Sequence, residues 1–94
     1  MTGGRVTPPP PRGESFEFAL GQAIRLVRRV NELSLKHVAA RAGLEVRTLL
    51  AIEKGTLEPD PACVDRLATA LEIPMHALLR IAELILTLTE QGSS

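Results

Sequence analysis

The chain has 94 residues, 45% of them hydrophobic, with Phe16 and Phe18 as the only aromatic residues. That is one domain's worth of sequence, with a core to be built from Leu, Ile, Val and Ala. The formal net charge is zero, which by itself neither calls for nor excludes nucleic acid. One cysteine, Cys63, rules out an intrachain disulfide and a cysteine-based metal site. His37 and His76 are far apart in sequence, so neither a metal nor another cofactor is expected. No apolar run reaches ~18 residues and no charged start leads into an apolar stretch, so no membrane segment is expected and a cytoplasmic protein is the default.

The distribution of charge says more than its sum. Residues 1–54 hold nine Lys/Arg against five Asp/Glu, and residues 55–94 hold two against six. A basic half and an acidic half suit one face meeting a polyanion, although the same charges serve equally to solvate a surface.

Residues 1–14 carry four consecutive prolines, three glycines and a lone Val6, a composition expected to form a disordered Pro/Gly-rich arm. Arg5 and Arg12 on that arm are within reach of a phosphate backbone, or are simply solvated. Ser15 offers an N-cap, and Phe16, Leu20, Ile24, Val27 and Val30 recur at spacings of three and four, predicting a first helix that Asn31 and Glu32 end. Ser34 caps a short second helix marked by Leu35, Val38, Ala39 and Ala42, which stops at Gly43. A third helix starts near Glu45 and runs through Leu49, Ile52 and Glu53 to Gly55. After a loop, Asp60 with Pro61 opens a fourth helix through Val64, Leu67, Ala68 and Leu71 to Glu72. Pro74 opens a fifth, with Met75, Leu78, Leu79, Ala82, Leu84, Ile85 and Leu88 continuing the pattern until Gln91. No alternating apolar run with turn signals reads as a strand, so the class is all-α.

Short helix, glycine turn, short helix, with supporting helices on both sides: this order resembles the phage repressor/Cro-type (XRE) family of helix-turn-helix transcriptional regulators. The residues that carry the resemblance are Leu20, Gly21, Ile24 and Arg28 in the first helix, then Ser34, Val38, Ala39, Gly43 and Leu44. Leu49, Ile52, Glu53, Gly55, Pro59, Leu67, Ala68, Leu71 and the segment from Ile73 to Leu78 complete it, covering about residues 18–79. It implies a five-helix lambda-repressor-like domain over residues 15–79, with residues 80–94 extending the fifth helix. Ala39 then lies where two helices cross, Gly43 takes a positive φ, and Leu44 plugs the turn into the core. Arg28 and Glu53 occupy positions that in the family form a partly buried ion pair.

The resemblance further implies that the second helix lies across the phosphate backbone of double-stranded DNA and the third enters the major groove. Carried over by position, the base-facing residues are Glu45, Val46, Arg47, Thr48 and Ala51. Arg47 suits a bidentate contact to guanine, Glu45 a cytosine amino group and Val46 a thymine methyl. Ser34, Lys36, His37 and Lys54 fall at phosphate-contacting positions, with Arg41 a weaker candidate. His37 reads equally as an exposed bystander. The chain departs from the family where a glutamine usually opens the second helix, which here is Leu35. It departs again at Glu45, where a small polar residue is common, and at Leu50, where a polar one often sits. Leu35, Val46 and Leu50 make the expected DNA face more apolar than usual, which admits a second use: a module that binds another protein, antitoxin-like or within the transcription machinery, with weak DNA affinity.

The fifth helix is too apolar for a lone surface helix. Leu84, Ile85 and Leu88 are the expected dimer interface, and a two-fold dimer would bind a pseudo-palindromic operator. The alternatives are a helix that folds back on its own core and a helix that holds another protein. No serine–histidine–carboxylate arrangement or phosphate-cradling glycine loop is present, so no enzyme activity is expected.

Overall fold

The computed structural model describes residues 15–92, and the expected arm over residues 1–14 lies outside them. Five helices follow in chain order: α1 (Phe16–Val30), α2 (Leu35–Ala42), α3 (Val46–Lys54), α4 (Pro61–Ala70) and α5 (Met75–Gly92). No strand occurs among the described residues. α1 packs along α5 and against α3, while α2 rests on α3 and α4.

Local chemistry sets most of the boundaries. The Ser15, Ser34 and Asp60 side chains accept hydrogen bonds from the N–H groups of Phe18, His37 and Cys63 at 3.0, 3.0 and 2.8 Å, satisfying otherwise orphaned donors at the starts of α1, α2 and α4. Gly43 and Gly55 close α2 and α3 in the left-handed region, at φ 72° and 79°. Two helices end the same way without glycine. Glu32 after α1 and Glu72 after α4 take φ 57° and 64°. The Leu33 and Ile73 N–H groups then reach back to Arg28 O and Ala68 O, at 2.9 and 3.0 Å, so both turns are stitched shut despite the conformational cost. α4 accordingly stops at Ala70 with Leu71 as its cap, two residues before the expected end at Glu72.

One core unites all five helices. Ile24, Val38, Leu49, Ile52, Leu67, Leu71 and Leu78 are fully buried in it, with Ala19, Ala23, Ala39, Ala42 and Ala82 where helices approach closely. Leu33, Leu35, Leu44, Ile73, Leu79, Ile81 and Ile85 pack against its margin. Two residues of the expected α1 stripe fall outside: Phe16 is exposed, and Val30 is left 71% exposed. Both lie on the buried side by angle but in the terminal turns, and periodicity reports a face without saying how far along the axis a neighbour reaches. Cys63 is a buried packing residue, and burial pushes its thiol above the ordinary value, Arg66 pulling the other way.

Two contacts fix α3 against α1. At Gly21 the helix backbones nearly touch: a Cβ there would fall 2.3 Å from Ile52 O and 2.7 Å from Glu53 O. Two turns further along α1, the Arg28 guanidinium grips Glu53 with two bonds, Nε to Oε2 at 2.7 Å and Nη2 to Oε1 at 3.1 Å. Its Nη1 donates to Leu33 O at 3.0 Å, tying the α1–α2 turn into the same joint. The side chains are 13% and 3% exposed, so the pair is largely dry.

Both contacts make predictions for stability, read from urea unfolding. Gly21→Ala forces backbone apart and should cost about 1–3 kcal/mol. Glu53→Ala strands the Arg28 charge and should cost about 3–5 kcal/mol. A loss well under 1 kcal/mol in Glu53→Ala would show that the joint relaxes around a lone arginine.

Candidate nucleic-acid interface

Sequence-expected site residues converge on one side of the molecule, around the α2–α3 corner. α2 ends at Gly43, the Leu44 N–H bonds Ala39 O at 2.8 Å, and the half-buried Leu44 side chain packs against the core margin. The corner is thereby fixed before α3 begins, and α3's inner face of Leu49, Ile52 and Glu53 is buried. Its other face is presented outward: Val46, Arg47, Leu50 and Lys54 are exposed, while Thr48 and Ala51 are half-buried.

Glu45 and Arg47 form an ion pair of 2.9 Å between Arg47 Nε and Glu45 Oε1, with side chains 68% and 85% exposed respectively. The two expected base readers are therefore not independent groups. At the start of α2, Ser34, Lys36 and His37 are exposed. The Ser34 hydroxyl oxygen is engaged by the His37 N–H, leaving its own hydrogen free to donate outward. Arg41 is held away, its Nη1 bonded to Glu72 Oε2 at 3.1 Å across to the α4–α5 turn.

A groove of about 410 Å³ runs between α1 and the α2–α3 pair, lined by Phe18, Gln22, Arg25, Leu35, Leu50 and Lys54 together with the Arg28–Glu53 joint. This groove explains part of the apolar character of the face. Leu35 is half-buried, packing against the core while lining the groove, so it does not stand as an open patch. Val46 and Leu50 stay exposed. The groove also brings in Gln22 and Arg25, which the sequence analysis did not single out. Their signal was available: both lie on α1 off its buried stripe, Arg25 three residues before Arg28, which faces α3. Among the described residues, Arg25, Lys36 and Lys54 form no ion pair.

The other groups are placed elsewhere. Leu84 and Leu88 of α5 are 57% and 69% exposed, whereas Ile85 packs against the core margin. His76 is exposed at the start of α5. No cluster of His, Cys, Asp or Glu among the described residues is arranged to hold a metal, and no described helix is long and apolar enough to cross a membrane.

Comparison with known proteins agrees with this geometry. No family model matches the chain. The HTH-type transcriptional regulator RghRB of Bacillus subtilis (strain 168) is 33% identical over 63 residues, which are 66% of this chain and 45% of that protein. The chain thus spans just under half the length of that relative. Among solved structures, the clp gene regulator ClgR of Corynebacterium glutamicum superposes with a TM-score of 0.83 over 86% of each chain, at 21% identity, which speaks for the fold. The restriction-modification controller protein C.AhdI of Aeromonas hydrophila superposes at 0.63 and 30% identity, over 65% of this chain and 92% of its own. These relatives are regulators and not enzymes. Five helices in this order, the Gly43 corner, the Arg28–Glu53 joint and the C.AhdI and RghRB matches together establish that the chain belongs to the phage repressor/Cro-type (XRE) family of helix-turn-helix transcriptional regulators.

Proposed function

We propose that the protein regulates transcription by binding double-stranded DNA as a homodimer, with α3 of each protomer in the major groove of one half of a pseudo-palindromic operator. The observation that carries this reading is the outward face of α3. A rigidly seated helix presents an exposed Arg47, Arg25 and Lys54 line the groove beside α3, Lys36 is exposed at the start of α2, and none of these three is ion-paired among the described residues. Glu45, Val46, Arg47, Thr48 and Ala51 face the base edges. Ser34, Lys36, His37 and Lys54 take the flanking phosphates, joined by Gln22 and Arg25 from α1. Against this stands the exposure of Val46 and Leu50, which would suit a protein partner.

The dimer is assigned to the free side of α5. Phe16 and Leu20 share a cleft with Met75 and Leu79, so α1 and α5 start side by side. Further along the two helices, Leu26 and Val30 of α1 and Leu84 and Leu88 of α5 are exposed. A second copy buries such a surface by matching like with like across a two-fold axis.

Affinity for duplex DNA should fall steeply with salt. Arg25, Lys36 and Lys54 from each protomer give a log–log slope of roughly −5 for a dimer, and Lys54→Ala should flatten it by about one per protomer while weakening all sequences alike. Affinity that is absent, or indifferent to salt, would favour the protein-binding reading. Leu84→Glu combined with Leu88→Glu should give a monomer in sedimentation equilibrium with helix content unchanged. Truncation at Leu79 is the poorer test, because it also removes the buried Ala82. A persistent dimer in the double variant would move the interface elsewhere.

A further inference from the structure

Glu45 sits at the N-cap of α3 with extended backbone, φ −76° and ψ 150°, yet its side chain makes no capping hydrogen bond. Ser15, Ser34 and Asp60 at the corresponding places of α1, α2 and α4 all make one. The Glu45 carboxylate turns instead to Arg47, accepting from Nε at 2.9 Å. Residues two apart inside a helix point away from each other. These two meet because Glu45 is still outside the helix, where the extended backbone directs its side chain alongside α3.

A pair this exposed contributes little to stability. Its effect lies in what it does to the guanidinium. Nε is bound, so the planar group is held by one edge while Nη1 and Nη2 stay free and parallel at the other. A guanine in the major groove offers O6 and N7 side by side, the match for two such donors.

Resting on the DNA-binding reading above, we propose that Glu45 is a positioning residue for Arg47, holding it by Nε so that it meets a guanine end-on through Nη1 and Nη2. The carboxylate has a second consequence. On a surface that approaches phosphates it repels every duplex, and the Arg47–guanine contact is what offsets that repulsion. Glu45 therefore lowers affinity for unmatched DNA while improving the contact to matched DNA, and so sets specificity from both sides.

The test uses the full chain and a duplex selected by it from a random library. Fluorescence anisotropy then compares the wild type with Glu45→Ala, Glu45→Gln, Arg47→Ala and the Glu45→Ala/Arg47→Ala double variant. Each is titrated with the selected duplex, single-base variants of it and an unselected duplex. Arg47→Ala should lose preference at one guanine. Glu45→Ala should lose preference at that same guanine by about fivefold or more and bind the unselected duplex more tightly. Glu45→Gln, whose amide oxygen still accepts from Nε, should keep most of the preference. In the Arg47→Ala background the Glu45 change should have no further effect on base preference. Urea unfolding should show Glu45→Ala as stable as the wild type, since no capping bond is lost. The proposal is overturned if Glu45→Ala tightens binding to all duplexes alike with preference intact, if the two effects on preference simply add, or if Arg47→Ala changes no preference. A wild type that selects no duplex overturns the DNA-binding reading itself, and this proposal with it.

Discussion

Glu53 is a carboxylate placed almost wholly out of water, and the arrangement is tolerable only because Arg28 meets both of its oxygens. A buried charge with an imperfect partner destabilises a fold by several kcal/mol, so the pair admits very few mutual geometries. Two bonds in one plane fix the rotation of α3 about its own axis relative to α1. The third bond, from Nη1 to Leu33 O, fixes where α2 departs. A greasy contact would have left α3 free to slide or roll by small amounts, since apolar packing is adaptable where polar geometry is not. The backbone approach at Gly21 complements this by setting distance where the ion pair sets orientation. For a helix whose outward face is the working surface, those two quantities decide where every exposed side chain lies.

How much of this was legible in the sequence depends on the range over which each signal acts. Caps are local: Ser34, Gly43, Gly55 and Asp60 mark their boundaries by chemistry confined to a few residues, and each falls where expected. Glu32 and Glu72 were harder, because a left-handed glutamate has no signature of its own and is held by the residue that follows it. The groove between α1 and α3 was not legible, because Gln22, Arg25 and Lys54 meet only after α1 folds over the corner. Leu35 was misleading in isolation. An apolar residue where the family usually has glutamine suggested an open greasy patch, and its partial burial comes from packing against the core, which only the tertiary fold brings beside it.

The Glu45–Arg47 pair shows the same limit at the finest scale. Helical spacing argues against contact between neighbours two apart, and the contact exists because one partner is still extended. A boundary that shifts by one residue would therefore change whether the Arg47 side chain is held or free. Secondary-structure ends, ordinarily the least informative part of a fold, carry functional content here.

α5 divides its labour along and around its length. Its 18 residues span about 27 Å, with Leu78 and Ala82 filling the core beside Ile81 and Ile85 at its margin. The core of so small a chain depends on that contribution, since small domains bury a modest fraction of their surface. Leu84 and Leu88 stay exposed, so the same helix that completes the monomer supplies the surface proposed for the second copy. Association on that surface, as proposed, would add stability by mass action, because a partner binds the folded helix and not the unfolded chain. In the proposed dimer, folding and association would be linked through α5, while Arg28 and Glu53 hold α3 by a joint that does not involve it. In that proposed assembly, a change at Leu84 or Leu88 would alter how two copies of α3 are paired without altering how either is seated.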